Sequence, residues 1–418
     1  MYLCGVKYDF MMRIKFLLFF MLLTAAVWGQ GSMTVLTGKV VDRQTGRAQA
    51  HVSVSSPNGR QQTVTNDDGQ FVLKTPSQPA YVEFSHLGYH TRRMRIDGQT
   101  ENLRVSMVPS TIEIDEVVVM MNDPMEVLRA AIKKIPANYS MQPSLMHCFY
   151  RETAQKGSRF IAISEAVTQM YKTPYNVGVT RDAVQIVKGR RLLSTKAKDT
   201  LGVKVMGGPV IPIMLDVVKN SELLLNEEEL QLYHLTMEMP ERIDLRSQFV
   251  ISFVPLYRVS RPLFYGKFYI DQETLSFTRV ELNLEMDDRD KATNYMLVRK
   301  PLGLRFNPKE LTTTINYQTT DSVTHISYVR NVMKFKCDWK RRLFSSAYTV
   351  TTEMVVTDMA PAGEVHAIRG RDSFGARDYF YDKVSFFDEP DFWGNYNIIE
   401  PTESLEHAIN KLKKSAKM

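Results

Sequence analysis

The chain has 418 residues, more than a single hydrophobic core usually serves, so two domains are expected. Hydrophobic residues make up 44% of the chain and charged residues 24%, which excludes wholesale disorder. The net charge of +7 is scattered among acids, and its densest basic groups, at 336–342 and 411–417, form no stripe interleaved with exposed aromatic residues, which argues against a nucleic-acid partner.

The first 29 residues have the pattern of a secretory signal peptide. Arg13 and Lys15 precede an apolar run at 16–28, and Gly29 supplies the small residue before a cleavage site. The run is too short for a comfortable membrane span, and a signal anchor is the alternative interpretation. We expect an exported protein of the periplasm or outer membrane, with no transmembrane helix after removal of residues 1–29.

Residues 34–110 consist of short segments in which apolar and polar residues alternate. A period of two with one apolar face is typical of half-buried strands. Turn clusters at 57–59 and 66–69 separate the segments and contain glycines suited to a positive φ angle. Short, closely spaced strands with such turns predict a β-sandwich.

This segment resembles the carboxypeptidase-regulatory-like family in three stretches, TGKVVDRQTGRAQAHVSV, TNDDGQFVL and VEFSHLGYHT. The resemblance implies a seven-stranded, transthyretin-like sandwich, the non-catalytic companion module of carboxypeptidases that occurs on many envelope proteins. The string IDEVVV at 114–119 is similar to one that follows the same module in TonB-dependent outer-membrane receptors. Nothing that resembles a receptor plug comes after it here, so we interpret residues 111–122 as a linker.

A second domain is predicted over residues 123–418, and a helix opens it. Asp123 is suited to the N-cap, Pro124 to the first helical position and Glu126 to a capping box. An apolar stripe at helical spacing follows, and Pro136 is expected to end the helix.

Strands dominate after this helix. Alternation at 278–285, 311–317 and 348–356 predicts antiparallel strands with one wet face. Residues 264–282 predict a hairpin that turns at 271–274.

A helix is also expected near the C terminus, with Pro401 at its first position and a stripe of Leu405, Ile409 and Leu412. The predicted fold is therefore mainly β. The N-terminal transthyretin-like β-sandwich is followed by a larger antiparallel β domain, a curved sheet or half-barrel with a few flanking helices.

The second domain also resembles known proteins. It is similar to the long domain that accompanies this module in a family of uncharacterised envelope proteins, in EAVTQMYKTPY, GGPVIPIMLDVVKN, DEPDFWGNYNIIEPTESLEHAINKL and the 264–282 hairpin. That family implies no established activity. The hairpin also resembles hairpins of the periplasmic lipoprotein-carrier fold, in which a half-barrel holds acyl chains.

The sequence contains no pattern typical of a catalytic or metal site. No histidine has a glutamate three positions later, as a zinc peptidase requires. Asp287, Asp288 and Asp290 favour an acidic turn between strands over a calcium loop. Ser164 lacks a nucleophile elbow, and the glycines at 207–208 lack the lysine of a phosphate loop. We predict no catalytic, cofactor-binding or metal-binding residues and no cofactor.

Two features leave alternatives open. Cys148 and Cys337 would form a disulfide or remain two buried free thiols, and we favour the free thiols. The aromatic residues at 386–396 would line a ligand groove or clamp the C-terminal segment onto the sheet, and we favour the clamp.

Three functions remain compatible with the sequence. The first is a non-enzymatic envelope protein that binds an apolar, lipid-like ligand on its curved β domain. The second is a structural or adaptor module that binds other envelope proteins. The third is a hydrolase whose site the sequence hides. An open apolar groove favours the first function, a groove filled by the protein's own side chains the second, and converging acids or histidines the third.

Overall fold

A computed structural model gives the architecture of the protein. The predicted leader and linker, at 1–29 and 111–122, lie outside the residues that the structure describes, which are 33–110, 123–196, 199, 201–243, 246–339, 345–375, 378–386 and 392–416.

The N-terminal domain is a sandwich of two small sheets, ordered β4-β1-β7 and β3-β2-β5-β6. Its seven strands are β1 (Thr34–Asp42), β2 (Ser53–Ser55), β3 (Gln62–Val64), β4 (Gln70–Thr75), β5 (Tyr81–Ser85), β6 (Arg92–Arg95) and β7 (Leu103–Met107). The alternation in β4 and β7 aims every second side chain inward, where Phe71 and Phe84 meet edge to face with ring centroids 5.3 Å apart. The predicted sandwich is confirmed.

The second domain contains more strands than helices. In chain order its elements are α1 (Pro124–Asn138), β8 (Ser144–Lys156), β9 (Arg159–Lys172), β10 (Ala183–Leu193), β11 (Lys204–Val205), α2 (Ile211–Met214), α3 (Ser221–Leu224), α4 (Glu227–Leu230), β12 (Tyr233–Met237), β13 (Glu241–Ile243), β14 (Arg246–Pro255), β15 (Phe264–Asp271), β16 (Phe277–Leu284), α5 (Arg289–Met296), β17 (Leu297–Arg299), β18 (Leu304–Thr320), β19 (Val323–Trp339), β20 (Ser346–Met359), α6 (Phe380–Lys383), β21 (Ser385–Phe386) and α7 (Glu403–Ala416).

Twelve strands of the described chain form one large sheet. Its order is β12-β14-β15-β16-β18-β19-β20-β8-β9-β10-β21, with β13 also paired to β14. All pairs are antiparallel except β10 with β21. The edge strands β12 and β21 do not pair with each other, so the sheet is open and not a closed barrel. The predicted antiparallel domain and its strands at 278–285, 311–317 and 348–356 are confirmed.

One face of the large sheet, which we call the inner face, carries Cys148 and Tyr150 of β8. Helices α1 and α5 and the segment 201–232 cover this face. Their buried side chains join the sheet in one hydrophobic cluster that includes Val127, Leu128, Ala131, Ile213, Val217, Val218, Leu224, Leu230, Ala292 and Met296. Most of the inner face is therefore filled by the chain itself.

The C-terminal segment covers part of the opposite, outer face. Trp393 packs edge to face on Phe149, with centroids 5.4 Å apart and an interplanar angle of 84°. Arg151 donates one hydrogen bond to Ile399 O at 2.6 Å and another to the buried carboxylate of Glu165 at 2.7 Å. The interpretation of the aromatic segment as a clamp is confirmed for Trp393; residues 387–391 lie outside the described chain.

The same C-terminal segment also holds the sandwich. The side chain of Asn397 accepts a hydrogen bond from Lys74 N at 2.6 Å and donates one to Lys74 O at 2.9 Å. Asn66 donates to Pro401 O at 3.1 Å. Val64 of the sandwich shares a buried cluster with Phe149 and Trp393. Residues 393–401 therefore join the two domains.

Two helix boundaries differ from the prediction. Asp123 caps α1 as expected, but the helix continues through Pro136 to Asn138. The proline loses only its own hydrogen bond near the end of the helix, and Tyr139 N still donates to Ile135 O at 2.9 Å. Helix α7 begins after Thr402, whose hydroxyl accepts a hydrogen bond from Leu405 N at 3.1 Å, so Pro401 precedes the cap.

Candidate ligand-binding cavity

A cavity of about 690 Å³ lies at one end of the inner face. Strands β8, β9 and β20 form its floor, and the segments 193–208, 299–302 and 378–381 surround it. Apolar side chains supply much of the wall: Ala154, Ile161, Ala162, Leu201, Val203, Val350 and Phe380. Residues 201–208 border this space, whereas residues 211–230 pack in the hydrophobic cluster of the inner face.

Glu152 is the acidic group of the cavity wall on strand β8. It lies next to inward-facing Tyr150 in the alternation, and its register partner on β9 is Ser164, which also lines the cavity. Its Oε2 accepts a hydrogen bond from the Tyr150 hydroxyl at 3.2 Å and another from Gly208 N at 3.1 Å. Burial raises the pKa of Glu152, although these two donors and the charge of Lys204 oppose the rise.

Residues 207 and 208 must both be glycine for the segment to approach Glu152 this closely. A Cβ atom on Gly207 would lie 2.8 Å from Oε2 of Glu152. Gly208 has a φ angle of +92°, and a Cβ atom there would lie 2.6 Å from the ring of Phe374. The sequence favours a turn here, and the structure adds that the turn brings the backbone N–H of Gly208 against the partly buried carboxylate of Glu152.

Asp199 is a second acid of the wall, and it is already paired. Its side chain is buried, accepts a hydrogen bond from Ser194 Oγ at 2.8 Å and forms an ion pair with Arg159. These bonds fix the loop after β10 against the start of β9. Asp199 therefore positions the wall of the cavity.

The mouth of the cavity is basic. Lys204 Nζ lies 3.6 Å from the ring centroid of Tyr379 and donates to Asp378 O at 3.3 Å. Arg299 and Lys300 are exposed at the rim, and β17 pairs with β11 to hold them beside Lys204. The arrangement combines an apolar wall, the carboxyl group of Glu152, an ion-paired Asp199 and a positively charged entrance.

A network of four buried charges lies elsewhere on the inner face. Lys172 Nζ is 2.6 Å from Asp216, Lys219 Nζ is 2.6 Å from Asp182, and all four side chains are fully buried. Tyr175 and Tyr317 donate to Asp216 at 3.1 and 3.0 Å. Although burial disfavours the charge of Lys172, the two carboxylates hold its pKa above the usual value.

Each charge of this network has an opposite charge inside the protein, so we interpret the network as an anchor. Asp216 and Lys219 belong to the segment that covers the inner face, whereas Lys172 ends β9 and Tyr317 lies on β18. The sequence gives no sign of it, because the four charges come from positions up to 47 residues apart that look like surface residues.

The residues considered for metal or catalytic roles do not converge. Within the described ranges, no group of three His, Cys, Asp or Glu side chains is placed to bind a metal. Asp288 is the N-cap of α5 and accepts hydrogen bonds from Asp290 N and Lys291 N, at 3.1 and 3.2 Å. The predicted acidic turn is therefore present at Asp287 and Asp288, but it leads into helix α5, which contains Asp290, and not directly into a strand.

The two cysteines of the described chain, Cys148 and Cys337, are buried and free. The interpretation as free thiols is confirmed. Ser164 lines the cavity, and the sequence alone did not single out its neighbour Glu152, which sits in an ordinary strand pattern.

Comparison with solved structures gives distant likenesses. A DUF1329 family protein from Desulfovibrio piger is 10% identical, with a TM-score of 0.26 over 58% of this chain and 95% of that one. A LolA superfamily protein from Nitrosomonas europaea is 11% identical, with a TM-score of 0.22 over 57% and 97%. MucB in complex with MucA(peri) is 12% identical, with a TM-score of 0.17 over 57% and 99%. Likenesses this weak carry no inference about function.

One sequence comparison identifies a protein family, and its match lies in the N-terminal part of the chain. Comparison with curated proteins gives no match. In the described part of the chain, no helix has the length and apolar character needed to cross a membrane. The similarity of residues 114–119 to TonB-dependent receptors stays a prediction. Residues 36–119 match the family model of the CarboxypepD_reg-like domain, so the sandwich is a carboxypeptidase-regulatory-like domain.

Proposed function

We propose that this is a non-enzymatic envelope protein that binds an amphipathic ligand, with an apolar body and an anionic head group, in the cavity beside Glu152. The observation that carries the proposal is the combination of an apolar wall with a basic mouth in a cavity of about 690 Å³. Small-molecule sites are commonly concave, mainly apolar, and about 300–1,000 Å³ in volume.

The wall supplies the affinity in this proposal. Ala154, Ile161 and Val350 belong to strands of a large sheet and are held by its ladder, so the surface exists before the ligand arrives. Each methylene group that leaves water for such a wall contributes about 0.8 kcal/mol. An acyl chain or a comparable hydrocarbon body fits this requirement.

In this proposal the polar groups of the cavity set the orientation of the ligand. Lys204, Arg299 and Lys300 at the mouth attract an anionic head group. Glu152 has a raised pKa, so it is neutralised more easily than an ordinary glutamate and can donate a hydrogen bond to a ligand oxygen when protonated. The ligand would therefore lie with its apolar body along the floor and its acid group outward.

Export is part of the proposal and rests on two observations. The leader pattern at residues 1–29 is that of a secreted protein. The regulatory-like domain at 36–119 resembles modules found on envelope proteins. The periplasm or the outer membrane is the proposed location.

An adaptor role is the second candidate function. It is favoured by the inner face, most of which is filled by residues 201–232 and not open to a ligand. In that role the cavity would be incidental, and the sandwich or the sheet edges would bind another envelope protein.

A cavity-filling substitution separates the two candidates. Ala162→Trp places an indole in the cavity, and Ala347→Trp places one on an exposed position of neighbouring strand β20 as the control. Binding of an anionic fluorescent fatty-acid analogue is measured by titration, with circular dichroism as the check on folding. We expect the wild type and Ala347→Trp to bind the analogue, and Ala162→Trp to bind at least about tenfold more weakly. Equal binding by all three proteins, or binding by none, contradicts the ligand proposal.

A further inference from the structure

We propose that one end of the large sheet, the end that carries the cavity mouth, docks on the surface of an anionic lipid bilayer. We call it the loop end and define it by the segments 256–263 and 297–303. The proposal goes beyond ligand binding, since it concerns a surface outside the cavity.

Strand register places these two segments at the same end of the sheet. Phe264, which follows the first segment, pairs with Leu284 at the end of β16. Strand β18 is antiparallel to β16 and pairs with its end at Thr312, so its first residue, Leu304, lies eight residues further toward the same end, just after the second segment. Lys291 Nζ of α5 donates to Val259 O at 2.7 Å, so the first segment is tied to the helix that leads into the second.

Large apolar side chains are unusually exposed at the loop end. Leu302 is 100% exposed, Tyr257 60%, Leu256 53% and Val298 52%. A single exposed apolar side chain is ordinary in a globular protein. Four of them on two segments at the same end of the sheet give this end the apolar character of an interaction site.

Basic residues lie among these apolar ones. The stretch from 297 to 305, LVRKPLGLR, contains three bases and no acid, and its bases Arg299, Lys300 and Arg305 are exposed. Arg258 is exposed as well, but Glu285, Asp287, Asp288 and Asp290 lie beside it, so the positive charge of the loop end is concentrated on the 297–305 segment. Apolar side chains flanked by lysine and arginine suit an anionic membrane surface, where the former enter the head-group region and the latter contact phosphates.

The cavity favours a bilayer over a protein as the partner. Arg299, Lys300, Pro301 and Leu302 line the cavity mouth as well as the loop end. A hydrophobic ligand that leaves the cavity, as the proposed function implies, would emerge at this surface. A bilayer is the phase in which such a molecule is soluble.

Vesicle co-sedimentation of the full mature protein tests the docking surface. The vesicles are phosphatidylcholine alone and phosphatidylcholine with phosphatidylglycerol. Leu302→Asp and Lys300→Ala alter the loop end, and Met239→Asp is the control. Met239 is 64% exposed and lies between β12 and β13, toward the other end of the sheet.

We expect binding that requires phosphatidylglycerol and weakens as salt is added. Leu302→Asp should weaken it at least about tenfold and Lys300→Ala about fivefold, whereas Met239→Asp should bind like the wild type. Ala162→Trp should bind vesicles like the wild type. Weaker binding of the fatty-acid analogue by this variant therefore tests the cavity and not the docking surface. Failure to bind either vesicle, the result expected if this end contacts another protein, overturns the proposal, as does equal binding by Leu302→Asp and wild type.

Discussion

The backbone N–H of Gly208 donates a hydrogen bond to Oε2 of Glu152 at 3.1 Å. This bond joins strand β8 to the segment that bounds the cavity, and it holds an acidic side chain in a mostly apolar wall. The same N–H lies 2.9 Å from the Tyr150 hydroxyl, so Gly208 contacts both Tyr150 and Glu152 of strand β8. Removing these hydrogen bonds should change both the stability of the cavity wall and the dependence of that stability on pH.

Glu152→Gln should flatten the dependence of stability on pH. Because burial raises the pKa of Glu152 in the folded protein, the folded state holds this proton more tightly than the unfolded chain does. The contribution of Glu152 to stability is therefore greatest below the unfolded pKa of about 4.3 and falls as pH rises through the folded pKa. Free energies of unfolding in urea across this range should show the fall in the wild type and not in Glu152→Gln. Glu222→Gln, at an exposed position, is the control, and parallel curves for all three proteins would refute the assignment.

Lys172→Met should destabilise the protein strongly. The substitution leaves the carboxylate of Asp216 buried without its closest cation, which typically costs about 3–5 kcal/mol. Urea unfolding measures the loss. Lys133→Met makes the same change at an exposed position of α1 and should alter stability little. A Lys172→Met protein as stable as the control would show that the network is not the anchor of the segment that covers the inner face.

Trp393→Ala should loosen the join between the two domains. The indole is 7% exposed and packs on Phe149, and removing a buried tryptophan side chain typically costs about 3–5 kcal/mol. We expect a lower urea midpoint and faster proteolytic cleavage near the C terminus. Tyr396→Ala, three residues on and 38% exposed, is the matched control. Equal protease resistance of the two variants would argue against the clamp.

The thiols of Cys148 and Cys337 should be inert in the folded protein. Burial raises the pKa of both Cys148 and Cys337 to about 12, so almost no thiolate is present at neutral pH. A thiol reagent should therefore label neither cysteine in native mature protein and both after denaturation without reductant. Recovery of no reactive thiol from the denatured, unreduced protein would reveal a disulfide.

Periodicity predicted much of the fold because most strands of the large sheet have one polar face. Residues 278–285 alternate cleanly, and they form β16 almost to the residue. Strand β9 departs from regular alternation, since Glu165 and Lys172 are charged yet fully buried and find their partners on other segments. Local charge cannot indicate burial when the compensating charge is distant in sequence.

The cavity was harder to predict than the strands for a similar reason. Its wall combines Glu152, Gly208, Phe380 and Leu302, which come from four separate stretches of the chain. The glycine pair at 207–208 was visible in the sequence as a turn. Only the fold shows which side chain the turn approaches.

Native mass spectrometry of the protein purified from cell envelopes tests the ligand proposal most directly. Wild type and Ala162→Trp are purified in the same way, and the mass of any molecule bound to each protein is compared. We expect the wild type to carry an amphipathic, anionic small molecule at one per chain and Ala162→Trp to carry much less of it. A wild-type protein that is empty, or that carries the same molecule to the same extent as Ala162→Trp, would contradict the cavity as the binding site.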